Sequence, residues 1–510
     1  MEKVWLYILI AIVLVLLLLK HLSSKQTWNN KHLPPSPSSS IPIIGHLHLM
    51  KAPTYRTLQK LSSQYGPIML LSFGIRKVLV ISSSNLVEEC FNKNDAIFAD
   101  RPRLLVFKHL RYNYTTILAS DYGPHWRNLR RLVALEIFST NRLNLFLSIR
   151  QEEVRNLLKN LYEICHQGFS RVEMKSRISE LSFNIILRMT AGKRYFGAEV
   201  DDHDLDEAKR FRDTIREVYE ASGTSEPSDF VPLLRWIDFQ GREKRMIGLQ
   251  KKADELWQGM VDEHRKSRTD SFTQEGRTKT MIDTALSLQE ADPHTYTDEI
   301  IKGLIMTMIT AGTDTSAVTI EWALSVLLNH PTVLKKAKAE LDNQVGQQRL
   351  VEEDDLSKLP YLQSIINETT RLYPAGPLLV PHQSSDCCTI GGYHIPRGTM
   401  LLVNAWAVHR DPKVWDDPNT FKPERFLGQD IDAYKLIPFG VGRRACPGSA
   451  LAKRVVGLAL ASLIQCFDWE RVGEGKLDMT DGTGLTMHKA KPLEAMCKAR
   501  ESMVNVLSKL

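Results

Sequence analysis

The stretch Pro438-Phe439-Gly440-Val441-Gly442-Arg443-Arg444-Ala445-Cys446-Pro447-Gly448 places one cysteine in a glycine-rich loop. An apolar run from Ala450 to Leu463 follows and predicts a helix that begins directly after the loop. A cysteine binds a metal only as its thiolate, so its surroundings must favour the anion. Backbone N–H groups in such a loop and in the first turn of a helix lack intrahelical partners and carry partial positive charge. The stretch therefore predicts a thiolate ligand site at Cys446.

The neighbours of Cys446 suit a flat ligand that carries negative charge. Gly442 and Gly448 allow tight turns and a close approach of the backbone. Phe439 can stack beside the sulfur, and Arg444 can pair with an anionic group. An isolated cysteine is more often a buried, unreactive thiol. Here, however, all of these residues fit one spacing, Phe-x-x-Gly-x-Arg-x-Cys-x-Gly.

This spacing resembles the haem-binding signature of the cytochromes P450. The resemblance implies the cytochrome P450 fold, mainly α with small β-sheets, as a single large catalytic domain behind an N-terminal transmembrane helix. It also implies haem b as the cofactor, with Cys446 as the axial ligand of the iron. Phe439 and Arg444 would then lie against the haem.

The bulk composition agrees with a large globular enzyme. By length alone, 510 residues suit about two to four domains or one large domain. The net charge of +7 is spread along the chain and not gathered into a stripe, which predicts no nucleic-acid partner. Seven cysteines form an odd set without a Cys-x-x-Cys pair. This pattern argues against a disulfide framework and a zinc ribbon, and it favours a reducing compartment.

The N-terminal segment has the features of a membrane anchor. An apolar run from Val4 to Leu19 spans roughly 24 Å as a helix, against about 27 Å for the endoplasmic reticulum bilayer. A cleaved signal peptide is the alternative, but no small-x-small cleavage site follows the run. Positive charge after it predicts a cytosolic body. We therefore expect an endoplasmic reticulum membrane anchor at 1–21, a basic linker and proline-rich hinge at 22–42, and the catalytic domain at 43–510.

A long helix is predicted from Thr295 to Asn329, with Thr295 and Asp298 as a capping box and Pro331 as the stop. At roughly 48 Å it is longer than a surface helix needs, so we expect it to cross the core. Within it, Gly312 and neighbouring hydroxyls that can bond to the carbonyl four residues back favour a local opening.

That opening lies in the segment Ala311-Gly312-Thr313-Asp314-Thr315. An acid beside a hydroxyl can hold a water and pass protons inward, although a buried threonine beside a salt-bridged aspartate is the ordinary alternative. The segment resembles the oxygen-activation motif of the P450s, Ala/Gly-Gly-x-Asp/Glu-Thr. The resemblance implies that Asp314 and Thr315 are the catalytic pair. Relatives that only rearrange or dehydrate peroxides often lack the threonine, so Thr315 favours monooxygenation.

Trp126 and Arg130 stand at i and i+4 and share one helix face. An indole N–H beside a guanidinium can clamp a carboxylate, although an ordinary amphipathic helix has the same spacing. In microsomal P450s the corresponding Trp-x-x-x-Arg binds a haem propionate. A His or Arg at the place of His382 binds the other propionate. The resemblance therefore implies that Trp126, Arg130 and His382 bind the haem.

Glu368 and Arg371 lie on adjacent turns and can form an ion pair, which at a surface contributes only a few tenths of a kcal/mol. Arg425, in Pro423-Glu424-Arg425-Phe426, is a candidate third member. These residues resemble the Glu-x-x-Arg and Pro-Glu-Arg-Phe triad of the P450s. The resemblance implies a structural brace that fixes the loop carrying Cys446.

Further segments resemble plant microsomal P450s of the A-type, among them Asn404 to Pro412. Leu135 to Thr140 and Gly192 to Gly197 are similar to the plant group that oxidises isoflavonoids, xanthone or benzophenone precursors, lignans and indolic compounds. Family position then implies a substrate pocket of mostly apolar residues, which suits a planar phenolic. The pocket candidates are Met308, Ala311, Ala375, Leu378, Leu379 and Thr483.

The resemblance implies a haem-thiolate monooxygenase that uses O2 and NADPH-derived electrons to hydroxylate a phenolic or aromatic plant metabolite. The chain contains no glycine-rich dinucleotide fingerprint. Electrons should therefore come from a separate NADPH–cytochrome P450 reductase. Basic residues near the thiolate face, Arg131, Lys453 and Arg454, are candidates to bind its acidic surface.

Three other outcomes stay open. The same chemistry can take hydrogen from two phenols, which gives oxidative phenol coupling or a methylenedioxy bridge. A reductase-independent haem-thiolate isomerase or dehydratase would form product without NADPH. A non-enzymatic, membrane-tethered haem sensor would keep Cys446 and tolerate the loss of Asp314 and Thr315.

Overall fold

The computed structural model describes residues 32–197, 205–223, 226–269 and 278–510, and three isolated positions at 11, 13 and 15. The predicted anchor and the basic part of the linker lie almost entirely outside the described residues. Within the described residues the fold is mainly helical with small sheets, as predicted.

The α-helices follow in chain order: α1 (Thr54–Tyr65), α2 (Ser84–Glu88), α3 (Leu105–Leu110), α4 (Pro124–Leu132), α5 (Thr140–Leu145), α6 (Leu147–Cys165), α7 (Met174–Ala191), α8 (Leu205–Gly223), α9 (Pro227–Phe230), α10 (Leu233–Trp236), α11 (Arg242–Thr269), α12 (Met281–Ala291), α13 (Asp298–Gly312), α14 (Asp314–Asn329), α15 (Pro331–Gln344), α16 (Pro360–Leu372), α17 (Ala405–Val408), α18 (Ser449–Cys466) and α19 (Val504–Leu507). Short 3-10 or π turns lie between them, at Leu47–Leu49, Glu89–Lys93, Ile97–Ala99, Val133–Ile137, Phe239–Gly241, Glu353–Lys358, Pro423–Phe426 and Glu501–Met503.

The strands form a four-stranded sheet, a three-stranded sheet and a hairpin. They are β1 (Ile68–Phe73), β2 (Arg76–Ile81), β3 (Ser170–Glu173), β4 (His382–Gln383), β5 (Cys388–Ile390), β6 (Tyr393–Ile395), β7 (Met400–Val403), β8 (Phe467–Arg471) and β9 (Glu494–Ala499). The strand order is β1-β2-β7-β4 in the first sheet and β3-β9-β8 in the second.

The four-stranded sheet joins distant parts of the chain. β1 and β2 pair antiparallel and are connected through Gly74. β2 then pairs in parallel with β7, with Val78 opposite Met400, and β4 pairs antiparallel with β7. This pairing carries His382, on β4, into the same sheet as the N-terminal strands. Both faces of the sheet are buried, which explains the nearly continuous apolar sequence of β1 and β2.

The predicted helix from Thr295 to Asn329 is two helices in the structure. α13 ends at Gly312 and α14 begins at Asp314, with Thr313 between them. The hydroxyls of Thr310, Thr313 and Thr315 each donate to the carbonyl four residues back. Such bonds compete with the backbone ladder and bend helices. The predicted opening at Gly312 is therefore confirmed, but the prediction of one continuous helix is wrong.

The helix start also differs from the prediction. Thr297 caps α13, and its side chain accepts from the Ile300 N–H. The proposed capping box between Thr295 and Asp298 is therefore wrong. Asp298 instead accepts hydrogen bonds from Arg265 and Gln289. A tertiary ion pair has replaced the local contact that the spacing favours.

The core is arranged around α14, whose side chains from Ser316 to Leu328 are all buried. It packs against α7 on one side and against α18 on the other. Among the described helices, α18 alone has the length and hydropathy to cross a membrane, but 72% of it is buried in the protein. That burial is typical of a core helix. α18 starts directly after the cysteine loop, so the loop is fixed at one end by the core.

Candidate active site

The backbone of the cysteine loop is a tight, internally bonded turn. The Cys446 N–H donates to the Phe439 carbonyl at 2.8 Å. Gly440 and Gly442 have φ values of 67° and 76°, in the left-handed region that glycine adopts without strain. A Cβ at Gly442 would lie 2.5 Å from an Asp95 carboxylate oxygen. Gly442 is thus required by both its conformation and its packing, as the signature predicts.

Cys446 is accessible, yet the surrounding protein desolvates it, as expected of a residue that lines an interior cavity. Burial raises the pKa of the Cys446 thiol, while the Gly448 N–H and the Arg130 charge oppose that rise. The sequence predicted that loop N–H groups would favour the anion. The Gly448 N–H does so, but burial outweighs it, so the thiolate needs a stronger positive partner, such as a metal ion.

Two of the predicted cations lie at the cysteine loop: Arg444 belongs to the loop, and Arg130 contacts it. Arg130 donates to the Ala445 carbonyl at 2.8 Å. The Arg444 guanidinium lies 4.4 Å from the centre of the Trp126 ring, and both side chains donate to the Ile117 carbonyl. The structure therefore brings Trp126 and Arg130 of α4 next to Arg444 of the cysteine loop, although α4 and the loop are far apart in sequence.

His382, the other predicted haem-binding residue, is buried next to Phe91 and Phe98. Its Nδ1 is 2.8 Å from the Phe98 carbonyl, and its ring is fully buried against Phe91. Burial lowers the pKa of His382 well below the ordinary value, and the charges of Arg101 and Arg444 lower it further. Without an anion beside it these effects favour the neutral imidazole, and a propionate next to Nε2 would favour the protonated ring that can donate to it.

Arg101 is a neighbour that sequence reasoning missed. It is 4% exposed and donates to the carbonyls of Leu118, Val380 and Pro381. The only sequence signal was a basic residue at the end of the buried run Phe98–Ala99. Arg101 ties that run to the residues immediately before His382.

These residues fit a dianionic, flat cofactor. Within the described part of the chain, Arg101, Arg130 and Arg444 have no carboxylate ion-pair partner, and burial lowers the pKa of each. Buried cations normally require a negative partner. The two propionates of a haem would supply the missing charge, and its iron would bind the Cys446 sulfur. The roles of these residues in binding haem stay a prediction.

The predicted oxygen-activating pair, Asp314 and Thr315, lies at the start of α14, directly after the end of α13. Ala311 is exposed, although Ile309, two residues before it, is fully buried. The Thr315 hydroxyl donates to the Ala311 carbonyl at 2.9 Å. Asp314 Oδ2 accepts from the Thr486 hydroxyl at 2.5 Å and lies 3.2 Å from His488 Nε2. The sequence did not single out Thr486 or His488, because they are remote from Asp314 in the chain.

The predicted pocket residues come from different elements. Met308 is buried on α13, and Thr483 is exposed in the loop before β9. Ala375 is half-buried, and its carbonyl accepts from Met487 in the same loop. Leu379 has a left-handed φ of 53°. It also approaches Gly440 of the cysteine loop.

Leu378 packs against the apolar cluster on one face of the four-stranded sheet. Its neighbour Leu379 packs against the other cluster beside that sheet. Whether any of the pocket candidates contacts substrate stays a prediction.

The structure assembles the predicted brace in the interior. Glu368 and Arg371 are both 0% exposed and joined by two hydrogen bonds of 2.6 and 2.8 Å. Arg425 donates to the same carboxylate at 3.1 Å. The pair is therefore a buried network and not the weak surface pair that the local spacing allows.

His409, which the sequence did not single out, connects the brace to the cysteine loop. Its backbone carbonyl accepts from Arg371 at 2.6 Å, and its Nε2 accepts from the Ile437 N–H at 2.9 Å. Nδ1 therefore carries the proton and faces the Arg371 carbonyl. Ile437 immediately precedes the loop at Pro438. His409 thus links the brace by hydrogen bonds to the backbone that precedes the Cys446 loop.

The neutral state of His409 makes the loop sensitive to acid. Burial lowers the pKa of His409 to about 3, and the charges of Arg410 and Arg371 act in the same direction. The folded pKa is depressed, so the stabilisation is complete above the unfolded value of about 6.5 and decreases below it, by about 1.4 kcal/mol per pH unit. Between pH 7.5 and 5.5 we expect His409 to account for about 1.4 kcal/mol of lost stability.

The test is the variant His409→Gln, whose amide oxygen can accept from Ile437 but does not titrate. We expect it to be less stable than the wild type at pH 7.5 and to lose less stability on acidification to pH 5.5, measured by urea unfolding. The exposed His166 gives the control His166→Gln, whose pH dependence should match the wild type. Parallel pH curves for His409→Gln and the wild type would contradict the assignment.

The fold and site define the class of protein. Residues 34–495 match the family model for cytochrome P450, so the chain belongs to the cytochrome P450 family. It is a cytochrome P450 monooxygenase.

Three of the similar proteins come from plants, and one solved structure comes from zebra fish. The chain is 55% identical to a cytochrome P450 of Catharanthus roseus, over 99% of this chain and 98% of the relative. It is 53% identical to (+)-piperitol/(+)-sesamin synthase of Sesamum radiatum, over 93% and 92%. It is 51% identical to isoflavone 3'-hydroxylase of Medicago truncatula, over 92% and 93%. A zebra fish cytochrome P450 crystallised with progesterone has a TM-score of 0.75, 27% identity, and coverage of 88% of this chain and 100% of that one.

Proposed function

We propose that this protein hydroxylates a phenolic or aromatic plant metabolite of the flavonoid or isoflavonoid kind, or a xanthone or benzophenone related to it. The observation that supports this most is the 51% identity to an isoflavone 3'-hydroxylase across nearly the whole chain. Asp314 and Thr315, at the break between α13 and α14, agree with an enzyme that must deliver protons during oxygen activation.

Haem bound at this site would supply the oxygen chemistry, with electrons from NADPH through a separate reductase. Cys446 would donate electron density to the iron. Arg130, Arg444 and His382 would hold the propionates, and Trp126 would join them if its indole N–H left the Ile117 carbonyl. Asp314 would hold a proton next to the Thr315 hydroxyl, and the apolar pocket would orient the aromatic ring and exclude bulk water.

The experiment is expression in microsomes with a plant reductase and a panel of isoflavones, flavones, xanthones and lignans. Products are identified by mass spectrometry. NADPH-dependent gain of one oxygen supports hydroxylation. Product without NADPH would instead indicate an isomerase or dehydratase. Absence of turnover on every phenolic, with normal haem loading, would overturn the proposed substrate class.

Methylenedioxy-bridge formation is the second candidate, because the chain is 53% identical to a sesamin synthase. Closing a methylenedioxy bridge from an ortho methoxyphenol removes two hydrogens and adds no oxygen to the product. The same mass spectra therefore distinguish it, since lignan substrates would lose two hydrogens and not gain an oxygen. Oxidative phenol coupling gives the same mass change, and the two differ in whether a methyl group is consumed.

We further propose an endoplasmic reticulum membrane anchor at residues 1–21, a hinge at 22–42 and a cytosolic catalytic domain from residue 43. The reductase would bind the thiolate side of that domain. Arg131 and Lys453 are exposed there, on the helix that carries Arg130 and on the first turns of α18. Arg454 is partly engaged, because it donates to Glu353 and Asn144.

Reversing the two exposed charges should weaken reductase binding. For Arg131→Glu with Lys453→Glu we expect the apparent KM for reductase to rise about 10-fold at low salt, with a smaller effect at high salt, because charges at an interface rim act mainly on association. The matched control reverses Lys51 and Lys60, two exposed lysines near α1. Equal KM values in both double variants would contradict this docking face.

A further inference from the structure

Asp314 has two polar neighbours besides Thr315. Its Oδ2 accepts from the Thr486 hydroxyl at 2.5 Å and lies 3.2 Å from Nε2 of His488. The Thr486 hydroxyl and His488 Nε2 are 2.8 Å apart, so the three side chains form a closed triangle. The Asp314 and His488 side chains are only 21% and 28% exposed. The triangle is therefore better shielded than a surface ion pair.

The loop that carries Thr486 and His488 is held firmly in place. The Met487 N–H donates to the Ala375 carbonyl at 3.0 Å. The Met487 carbonyl accepts from the Trp322 indole of α14 at 2.6 Å. The Gly482 N–H also donates to the His488 carbonyl at 2.8 Å. Because the loop is tied to the helix that Asp314 begins, the distance between the imidazole and the carboxylate is fixed by the fold.

The second ring nitrogen of His488 lacks a partner. Nδ1 is buried and has no hydrogen-bond partner among the described residues. A buried polar atom in this state normally has a bound water or another group as its partner. With Nε2 facing Asp314 and Nδ1 free to meet a water, the imidazole is oriented to take a proton on one side and release one on the other.

Other charged groups near the triangle have different partners. On α8, the Tyr219 hydroxyl contacts the Thr310 carbonyl and the Thr313 hydroxyl. Burial and then the Asp314 charge raise the pKa of Tyr219, so it keeps its proton. On α14, Glu321 accepts from the Leu493 N–H. Tyr219 interacts electrostatically with Asp314, and Glu321 with His488. Arg111 acts in turn on Tyr219, and Lys175 and Lys489 act on Glu321.

We propose that His488 and Thr486 form one proton-delivery unit with Asp314, in which His488 is the positioning residue that orients Asp314 and reloads it with protons. Monooxygenation consumes two electrons and two protons for each O2: RH + O2 + 2e⁻ + 2H⁺ gives ROH + H2O. A bound water at Nδ1 of His488 passes a proton from solvent to that nitrogen, and the proton on Nε2 leaves for the Asp314 carboxylate, directly or through the Thr486 hydroxyl. This role rests on the monooxygenase reaction and not on the proposed substrate.

The test compares two variants of His488. His488→Gln keeps a side-chain N–H donor but cannot take up and release a proton as an imidazole does. His488→Leu has neither the donor nor the ability to transfer a proton. In the reductase system we measure NADPH consumption and hydrogen peroxide release, with and without an aromatic substrate, from about pH 6 to 8.5. We expect both variants to release more peroxide per NADPH and to lower product per NADPH by about 10-fold. The substrate KM should stay within about twofold of the wild type, because His488 acts on kcat.

A double-mutant cycle shows whether His488 acts through Asp314. In an Asp314→Asn background, His488→Gln should have no further effect on coupling, because the acceptor of its proton is gone. Thr486→Val leaves the imidazole in place and should give an intermediate loss. It also serves as the test if a His488 variant does not retain the reduced-CO spectrum.

Three outcomes would overturn the proposal in whole or in part. Wild-type coupling and pH profile in His488→Gln and His488→Leu would exclude any role for the imidazole. Full coupling in His488→Gln together with reduced coupling in His488→Leu would show that residue 488 acts only through a hydrogen bond and does not supply protons. Additive effects in the Asp314→Asn background would exclude action through Asp314. Because peroxide release is measured without substrate as well, an inactive phenolic panel would count against the substrate class and not against His488.

Discussion

Replacing Cys446 with serine is expected to abolish monooxygenase activity and the red-shifted Soret band of the reduced, CO-bound protein. A serine hydroxyl is far less acidic than a thiol, so it does not supply the anionic, electron-donating ligand that the reaction needs. The fold should survive, because the loop is closed by the backbone bond from residue 446 to the Phe439 carbonyl, which the substitution leaves intact. Thermal unfolding of the apoprotein should therefore be nearly unchanged.

The matched control is Cys387→Ser, since Cys387 is an exposed cysteine of the same chain. We expect wild-type haem content, spectrum and turnover for it. Haem content of Cys446→Ser is measured separately from its spectrum, so that loss of the cofactor is distinguished from loss of the thiolate. A normal red-shifted band in Cys446→Ser, or its loss in Cys387→Ser, would refute the assignment of the axial ligand.

The sequence predicted well those features that depend on neighbours in the chain. The loop around Cys446 and the helix that follows it both depend on local spacing and backbone preference. The helix after the loop extends to Cys466, beyond the predicted Leu463, because the core buries its last turn. Short-range rules therefore located these elements and missed only their ends.

The sequence predicted poorly those features that depend on tertiary partners. The threonine hydroxyls and Gly312 indicated an opening, but the interruption at Thr313 also involves Tyr219 of α8, whose hydroxyl donates to the Ile309 and Thr310 carbonyls. Thr486 meets Asp314 across 172 residues. No local pattern encodes such a contact. The same holds for His409, which follows the short helix α17. Its role depends on the hydrogen bond that it accepts from the distant Ile437 N–H.

The haem-binding residues lie between these two cases. Trp126 and Arg130 do lie on one helix, α4, but Arg444 meets Trp126 only because the cysteine loop packs against that helix. The family resemblance supplied that link, and spacing within the chain did not. Arg101 is buried, Arg130 and Arg444 are half-buried, and none of the three has a carboxylate ion pair among the described residues, which adds a physical reason for an anionic ligand there.

Replacing Arg371 with methionine is expected to cause the largest loss of stability. Arg371 is fully buried and, besides Glu368, donates to the carbonyls of His409 and Pro418. Its removal leaves the buried Glu368 carboxylate with only Arg425 and the Lys422 N–H as partners. Removing one member of a buried ion pair costs about 3–5 kcal/mol, a large share of the roughly 5–15 kcal/mol that stabilises a domain.

The effect should reach Cys446, because the His409 carbonyl that Arg371 binds belongs to the residue whose Nε2 holds Ile437. We expect Arg371→Met to lose the red-shifted CO band as well as stability, measured by urea unfolding and by spectrum on the same sample. Arg371→Lys keeps the charge but not the planar fork that reaches several acceptors, so it should recover only part of the loss. Arg216→Met, which breaks the exposed pair with Asp213, is the control and should cost at most about 1 kcal/mol. An Arg371→Met protein as stable as that control, with its spectrum intact, would show that the brace does not support the thiolate loop.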